Sequence, residues 1–181
     1  YKNIFTVLQL RCHPLVKKLM KTINLKKNYD IEIDVSVYRE PSYYQSWKGN
    51  SKKSGGLLFN LGIHYFDLLL HLFGEPKIIS QATHSRVRTA FGTLRGVIYI
   101  CCWRVSSEEK QSQQRRVFKI NGISYNFSSQ DNLAYENLHK KVYEDILNGK
   151  GVWPAEAARS VKLVENIYEH TYPDQGHIHF Y

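Results

Sequence analysis

Cysteine is scarce in this sequence. Cys12, Cys101 and Cys102 are the only three among 181 residues, with no CxxC and no regular spacing. So sparse and odd a set excludes a secreted disulfide framework and a zinc finger, and a reducing cytoplasm is the compartment expected. Long apolar runs are lacking too. The longest, Gly96 to Trp103, falls far short of the ~20 residues that cross a membrane. No basic-then-apolar leader opens the chain. No GxGxxG follows any strand-like stretch, and Gly149-Lys150-Gly151 is too short to hold a dinucleotide pyrophosphate. Signatures of a helix-turn-helix, a zinc finger or an RRM are missing, as are internal repeats. The chain opens at Tyr1, not Met, directly in strand-like sequence, as expected for a piece of a longer protein.

What is present is ordinary for a globular domain. Hydrophobic residues are 43% and charged residues 23%, which excludes a disordered tail. A chain this long buries a core without disulfide staples. The net charge of +9 and pI near 9.4 invite an anionic partner: nucleic acid, a phosphorylated metabolite or an acidic sugar. The cations come in scattered pairs, among them Lys17-Lys18, Lys26-Lys27, Lys52-Lys53, Arg115-Arg116 and Lys140-Lys141, which read as solvated faces.

The pattern along the chain predicts a strand over 5–11. A helix follows from Pro14 to about Asn24, with Leu15, Leu19 and Ile23 on one face. Alternation over 31–38 predicts a half-buried strand. Residues 40–54 read as a long loop, and long loops are often functional. Gly55-Gly56 open the strongest helix, which runs to Phe73 with Gly74 as its C-cap. Strands are expected over 77–85, 94–105, 116–120 and 124–127, the last two joined by an Asn121-Gly122 hairpin turn. Asp131 or Asn132 caps a helix reaching Asn148, and Pro154 starts a final helix with Val161, Val164 and Tyr168 on one face. Strands cluster centrally and helices at both ends. The expected fold class is therefore α+β: a largely antiparallel open sheet with helices packed on one face.

Chemistry concentrates in the helix 55–73. It is apolar on most of its surface, so it must be buried. Its few polar residues, Asn60, His64, Asp67 and His71, are spaced four, three and four apart, which puts them on one narrow stripe. A polar stripe on a buried helix needs partners. Three readings stand side by side: structural hydrogen bonds, a metal site using His64 with Asp67 or Asp67 with His71, and catalysis with His64 as general acid/base and Asn60 holding a substrate group. His64 and His71 lie about 10 Å apart along the axis, so one ion cannot take both. The preceding segment Tyr43-Tyr44-Gln45-Ser46-Trp47-Lys48-Gly49 adds aromatic faces for rings and a cation for phosphate or carboxylate.

Ser54-Gly55-Gly56-Leu57-Leu58-Phe59-Asn60-Leu61-Gly62-Ile63-His64-Tyr65-Phe66-Asp67 resembles the GG-x3-D/N-x-G-x-H-x2-D signature of the Gfo/Idh/MocA oxidoreductases, two-domain NAD(P)-dependent sugar dehydrogenases. Leu8–Pro14, Ser46–Gly49 and Asn137–Tyr143 are similar to one branch, the UDP-N-acetylglucosaminuronate 3-dehydrogenases of bacterial surface-polysaccharide synthesis. Asn60, where many members carry Asp, fits that branch. The resemblance covers 5–167 and implies the C-terminal, substrate-binding and oligomerising domain (13–181), with residues 1–12 as the last strand and connection out of an absent Rossmann domain. It further implies oxidation of the sugar 3-hydroxyl, with His64 and Asn60 catalytic and Arg11, Gln9, Tyr43, Trp47, Lys48 and Gly56 gripping the nucleotide sugar. NAD and the catalytic Lys of a Glu-Lys-Pro motif belong to the absent domain, so the chain alone should bind no cofactor and should not turn over; no metal is expected. Expected partners are a UDP-sugar acid and further copies of the chain, as a dimer or tetramer through the sheet; neither nucleic acid nor membrane is expected. The runner-up is a non-catalytic domain that binds an acidic glycan or only oligomerises.

Overall fold

A computed structural model describes residues 4–85, 89–108, 110–127 and 135–171. The elements are α1 (Pro14–Thr22), β1 (Tyr29–Tyr38), α2 (Pro41–Gln45), α3 (Ser51–Ser54), α4 (Ile63–Phe73), β2 (Ile78–Ser85), β3 (Thr89–Arg95), β4 (Tyr99–Glu108), β5 (Arg115–Ile120), β6 (Ile123–Asn126), α5 (Tyr135–Leu147) and α6 (Pro154–Thr171). The six strands form one open sheet in the order β2-β3-β4-β1-β5-β6. Every neighbouring pair is antiparallel except β1 with β4, which is parallel, so the largely antiparallel expectation holds with one parallel seam at the centre.

Register places the core. Ile33 of β1 sits opposite Trp103 of β4 on one side and Phe118 of β5 on the other. All three are buried, as are Ile31, Val35 and Val37, because alternate residues of a strand share a face. Helix α4 lies on this face: Phe66 meets the Trp103 ring edge-on at 5.2 Å. The opposite face is polar and partly open. There Asp34 receives Arg104 and Arg115, and Glu32 receives Lys119. The run Ser51–Phe73 has the length and apolarity of a membrane span, yet Leu58, Leu61, Tyr65, Phe66 and Leu68 to Leu70 are buried inside the protein.

Several elements depart from the expectations. Residues 5–11 are not a strand. Thr6 makes an isolated bridge to Val152, and Gln9–Cys12 is a 3₁₀ turn. Leu8, Gln9 and Leu10 are all buried, so packing on both sides overrides the strand pattern. The stretch 94–105 is two strands. Its chain reverses at Gly96, where the Gly96 N–H donates to the Tyr99 carbonyl at 2.9 Å, and a Cβ would lie 2.1 Å from the Tyr99 ring. Residues 40–54 are not a plain loop but short helices, with Pro41 at the start of α2 and Asn50 capping α3. Val161 is 38% exposed, whereas Val164 is buried and Tyr168 partly buried, so Val161 is off the face it was expected to share. Asn121 and Gly122, with φ of 49° and 78°, make the tight β5–β6 turn as expected. The cap at Asp131 or Asn132 lies outside the described residues.

Candidate functional site

The site is organised by how α4 begins. Gly55 and Gly56 both take positive φ, 73° and 76°. The chain then winds through a wide π-type turn, Leu58–Gly62, before α4 proper. Such turns insert one residue and frequently mark functional sites. The Asn60 amide Nδ2 donates to the Gly56 carbonyl at 2.8 Å, which orients the side chain back over the glycine start. From below, the Tyr168 hydroxyl of α6 accepts the Leu58 N–H at 3.2 Å, and a Cβ on Gly56 would lie 3.0 Å from it.

His64 stands on the first turn of α4, half-buried, with Nδ1 shielded from solvent and lacking a hydrogen-bond partner. Burial lowers its pKa below the ordinary imidazole value; Asp67 opposes this and His139 of α5 reinforces it. The imidazole is therefore neutral at pH 7 and able to accept a proton. A shielded polar atom without a partner costs free energy.

Asp67 has the opposite fate. It is 1% exposed and accepts from Arg11 Nε at 2.8 Å, Arg11 Nη2 at 2.7 Å and Ser160 Oγ at 2.7 Å. Arg11 Nη1 donates in turn to Glu156. The stripe thus divides: Asp67 is structural, joining the 3₁₀ turn to α6, while Asn60 and His64 lie nearer the helix start. His71 is half-buried, its pKa lowered by burial and then by Arg11. Among the described residues no three His, Cys, Asp or Glu side chains gather as metal ligands.

The expected substrate grips fall into two groups. Arg11 is committed to Asp67 and Glu156, and Gln9 is 2% exposed. Neither presents its side chain at the surface that Trp47 occupies. Tyr43, Trp47 and Lys48 do cluster. Lys48 Nζ lies 4.6 Å from the Tyr43 ring and 5.9 Å from the Trp47 ring, with Arg39 on the Tyr43 ring at 5.5 Å. Beside them is a depression of about 530 Å³ lined by Tyr44, Gln45, Ser46, Trp47, Asn50 and Lys53. Its lining contains neither Asn60 nor His64. The sequence pattern did not single out Ser160 or Glu156, and it marked Tyr168 only as a packing residue and His139 only as part of the stretch 137–143. Glu156 and Ser160 are spaced i, i+4 on α6, a spacing that was the one available signal for a polar contact toward α4.

Residues 17–100 match the sequence profile of the Gfo/Idh/MocA oxidoreductase family, C-terminal alpha/beta domain. The fold is that of the Gfo/Idh/MocA C-terminal domain. The chain is similar to the WlbA (WbpB) dehydrogenase from Thermus thermophilus, solved in complex with NAD and UDP-GlcNAcA, at 29% identity and a TM-score of 0.79, over 93% of this chain and 55% of that one. The WlbA dehydrogenase from Bordetella pertussis, in complex with NADH and UDP-GlcNAcA, shares the fold at 19% identity and a TM-score of 0.71, over 94% and 63%. Scyllo-inositol 2-dehydrogenase (NADP(+)) IolW of Bacillus subtilis (strain 168) is 26% identical over 95 residues, which cover 46% of this chain and 26% of that protein. The chain spans about half the length of the Thermus enzyme, 55% of it.

Proposed function

We propose that this chain is the substrate-binding half of an NAD-dependent nucleotide-sugar dehydrogenase that oxidises the 3-hydroxyl of UDP-N-acetylglucosaminuronate, in cytoplasmic synthesis of surface polysaccharide. The observation that carries it is the 29% identity, over 93% of this chain, to a dehydrogenase solved with NAD and UDP-GlcNAcA. The site geometry supports it. His64, a neutral imidazole with an unpartnered Nδ1, takes the hydroxyl proton. Asn60, its amide Nδ2 tied to Gly56, offers Oδ1 to orient that hydroxyl. Tyr43, Trp47 and Lys48 supply ring faces and a cation for the nucleotide and its negative charge.

No described segment fits NAD itself. β1, one strand of the parallel pair, leads into α2 through Arg39-Glu40-Pro41, without glycine and with a carboxylate at the N-cap where a pyrophosphate would be repelled. The dinucleotide is accordingly assigned to the part of the dehydrogenases that this chain does not span. The partly open sheet face, with Glu32, Asp34, Arg104, Arg115 and Lys119 carrying both signs of charge, is assigned to self-association as a dimer or tetramer.

The test is to incubate the chain with NAD and UDP-N-acetylglucosaminuronate and follow absorbance of the reduced cofactor. No turnover is expected. Reduction of NAD by this chain alone contradicts the assignment of the cofactor site elsewhere.

A further inference from the structure

Helix α1 and the turn behind it carry a charge that the proposed dehydrogenase chemistry does not use. Between Lys2 and Tyr29 the sequence has seven basic residues and no acidic one. Arg11 is committed to Asp67 and Glu156. Lys17, Lys18, Lys21, Lys26 and Lys27 are all exposed, and none makes an ion pair with a described residue. Asp145 of α5, which Lys17 feels, is already held by Lys141.

The fold lines these cations up. At 100° per residue, Lys17, Lys18 and Lys21 fall within one arc of about 100°, opposite the buried Val16 and Leu19. Like charges three and four residues apart repel, and cations are unfavourable near a helix start, so this arrangement stands against local stability. Two exposed apolar side chains accompany them. Met20, on the flank of the helix, is 52% exposed, and Leu25 is 66% exposed. Leu25 is held there rather than dangling. It sits in a turn closed by the Lys27 N–H donating to the Asn24 carbonyl at 2.9 Å and the Lys26 N–H donating to Asn24 Oδ1 at 2.9 Å. The Tyr29 hydroxyl pins that turn by accepting the Asn24 N–H at 2.8 Å.

We propose that α1 and the Asn24–Lys27 turn form a docking surface for an anionic lipid bilayer. Unpaired lysines interleaved with outward aliphatic side chains match a headgroup region, where cations meet acidic lipids and short apolar groups enter the acyl boundary. A nucleic-acid surface would call for arginine forks and stacking aromatics, and this surface presents neither. With no acid in the segment, nothing within it cancels the field over the ~8 Å that salt leaves effective. No spanning helix is required, so the buried run Ser51–Phe73 has no part in it. The absence of a membrane partner was expected from the lack of a span, a criterion blind to peripheral contact.

The experiment is flotation of the full chain with vesicles of phosphatidylcholine alone and of phosphatidylcholine with about one-third phosphatidylglycerol. Binding to the acidic vesicles alone, released by high salt, is expected. At roughly fivefold per lysine, the triple variant Lys17→Gln, Lys18→Gln, Lys21→Gln should bind about a hundredfold more weakly. Met20→Ser with Leu25→Ser should weaken binding several-fold while leaving the salt dependence in place. All five side chains are exposed, so circular dichroism of the variants should match the parent. Equal binding to neutral and acidic vesicles, or no binding to either, overturns the proposal. So does binding to a mixed-sequence DNA duplex as tight as to the acidic vesicles and indifferent to Met20 and Leu25.

Discussion

Arg11 and Asp67, far apart in sequence, close a two-point fork: Nε to Oδ2 at 2.8 Å and Nη2 to Oδ1 at 2.7 Å. The fork fastens the Gln9–Cys12 turn to α4, and Ser160 and Glu156 extend it to α6. It removes Asp67 from the chemistry, while His64, one turn earlier, keeps a shielded Nδ1 without a hydrogen-bond partner.

Arg11→Met strands the Asp67 carboxylate in the interior, where losing one partner of a buried pair costs about 3–5 kcal/mol. Arg11→Lys cannot fork and should lose about half as much. Urea denaturation checks both, with a lowered midpoint at unchanged slope expected.

Gly56 and Gly149 share a positive φ, 76° and 72°, but differ in surroundings: a Cβ on Gly56 meets the Tyr168 hydroxyl at 3.0 Å, and one on Gly149 meets nothing within 4 Å. Alanine should cost about 1 kcal/mol at Gly149 from backbone conformation alone, and more at Gly56. Paired thermal melts read the difference, which reports the contact with Tyr168.

His13 caps α1 through Nδ1, which accepts the Leu15 N–H at 3.1 Å, and its ring is 1% exposed. Burial lowers its pKa in the folded protein from 6.5. The unfolded chain therefore binds the proton first. This contribution to stability is complete above about pH 6.5 and is lost as pH falls toward the depressed folded value, by up to ~1.4 kcal/mol per pH unit. Denaturation midpoints at pH 7.5 and 5.5 should show the fall, and His13→Asn, which keeps a capping oxygen, should make it shallower, the remainder coming from His64 and His71, whose pKa values burial also lowers.

The legible parts of this fold are those set by local rules. Ile31, Ile33, Val35 and Val37 alternate and are all buried; Asn121-Gly122 turns; Gly74, at φ 83°, ends α4. What was illegible depends on contacts distant in sequence. Residues 5–11 alternate like a strand but wedge Leu8, Gln9 and Leu10 into the core as a turn. The break at Gly96 depends on the Tyr99 ring folding under it. In the site, the spacing of Asn60, His64, Asp67 and His71 located the polar groups. It could not show that Arg11 claims Asp67, because the same guanidinium reads equally well as a substrate grip until its partner is placed.

Partial burial alone would raise the Asp34 carboxyl, but Arg104 and Arg115 outweigh it and hold its pKa below the usual carboxylate range. This cluster lies on the partly open sheet face, so Asp34→Ala should change the chain's own stability by less than about 1 kcal/mol. If the face joins copies of the chain, the same variant should shift the mass seen in sedimentation equilibrium toward monomer.

The central claim is that this chain binds an acidic nucleotide sugar, and calorimetric titration with UDP-N-acetylglucosaminuronate tests it most directly. The account predicts saturable binding that weakens for UDP-N-acetylglucosamine, which keeps the diphosphate but lacks the sugar carboxylate, falls at least tenfold in Trp47→Ala with Lys48→Ala, and survives His64→Ala. Absence of heat at millimolar ligand, or binding indifferent to the sugar carboxylate and to Trp47 and Lys48, would contradict it.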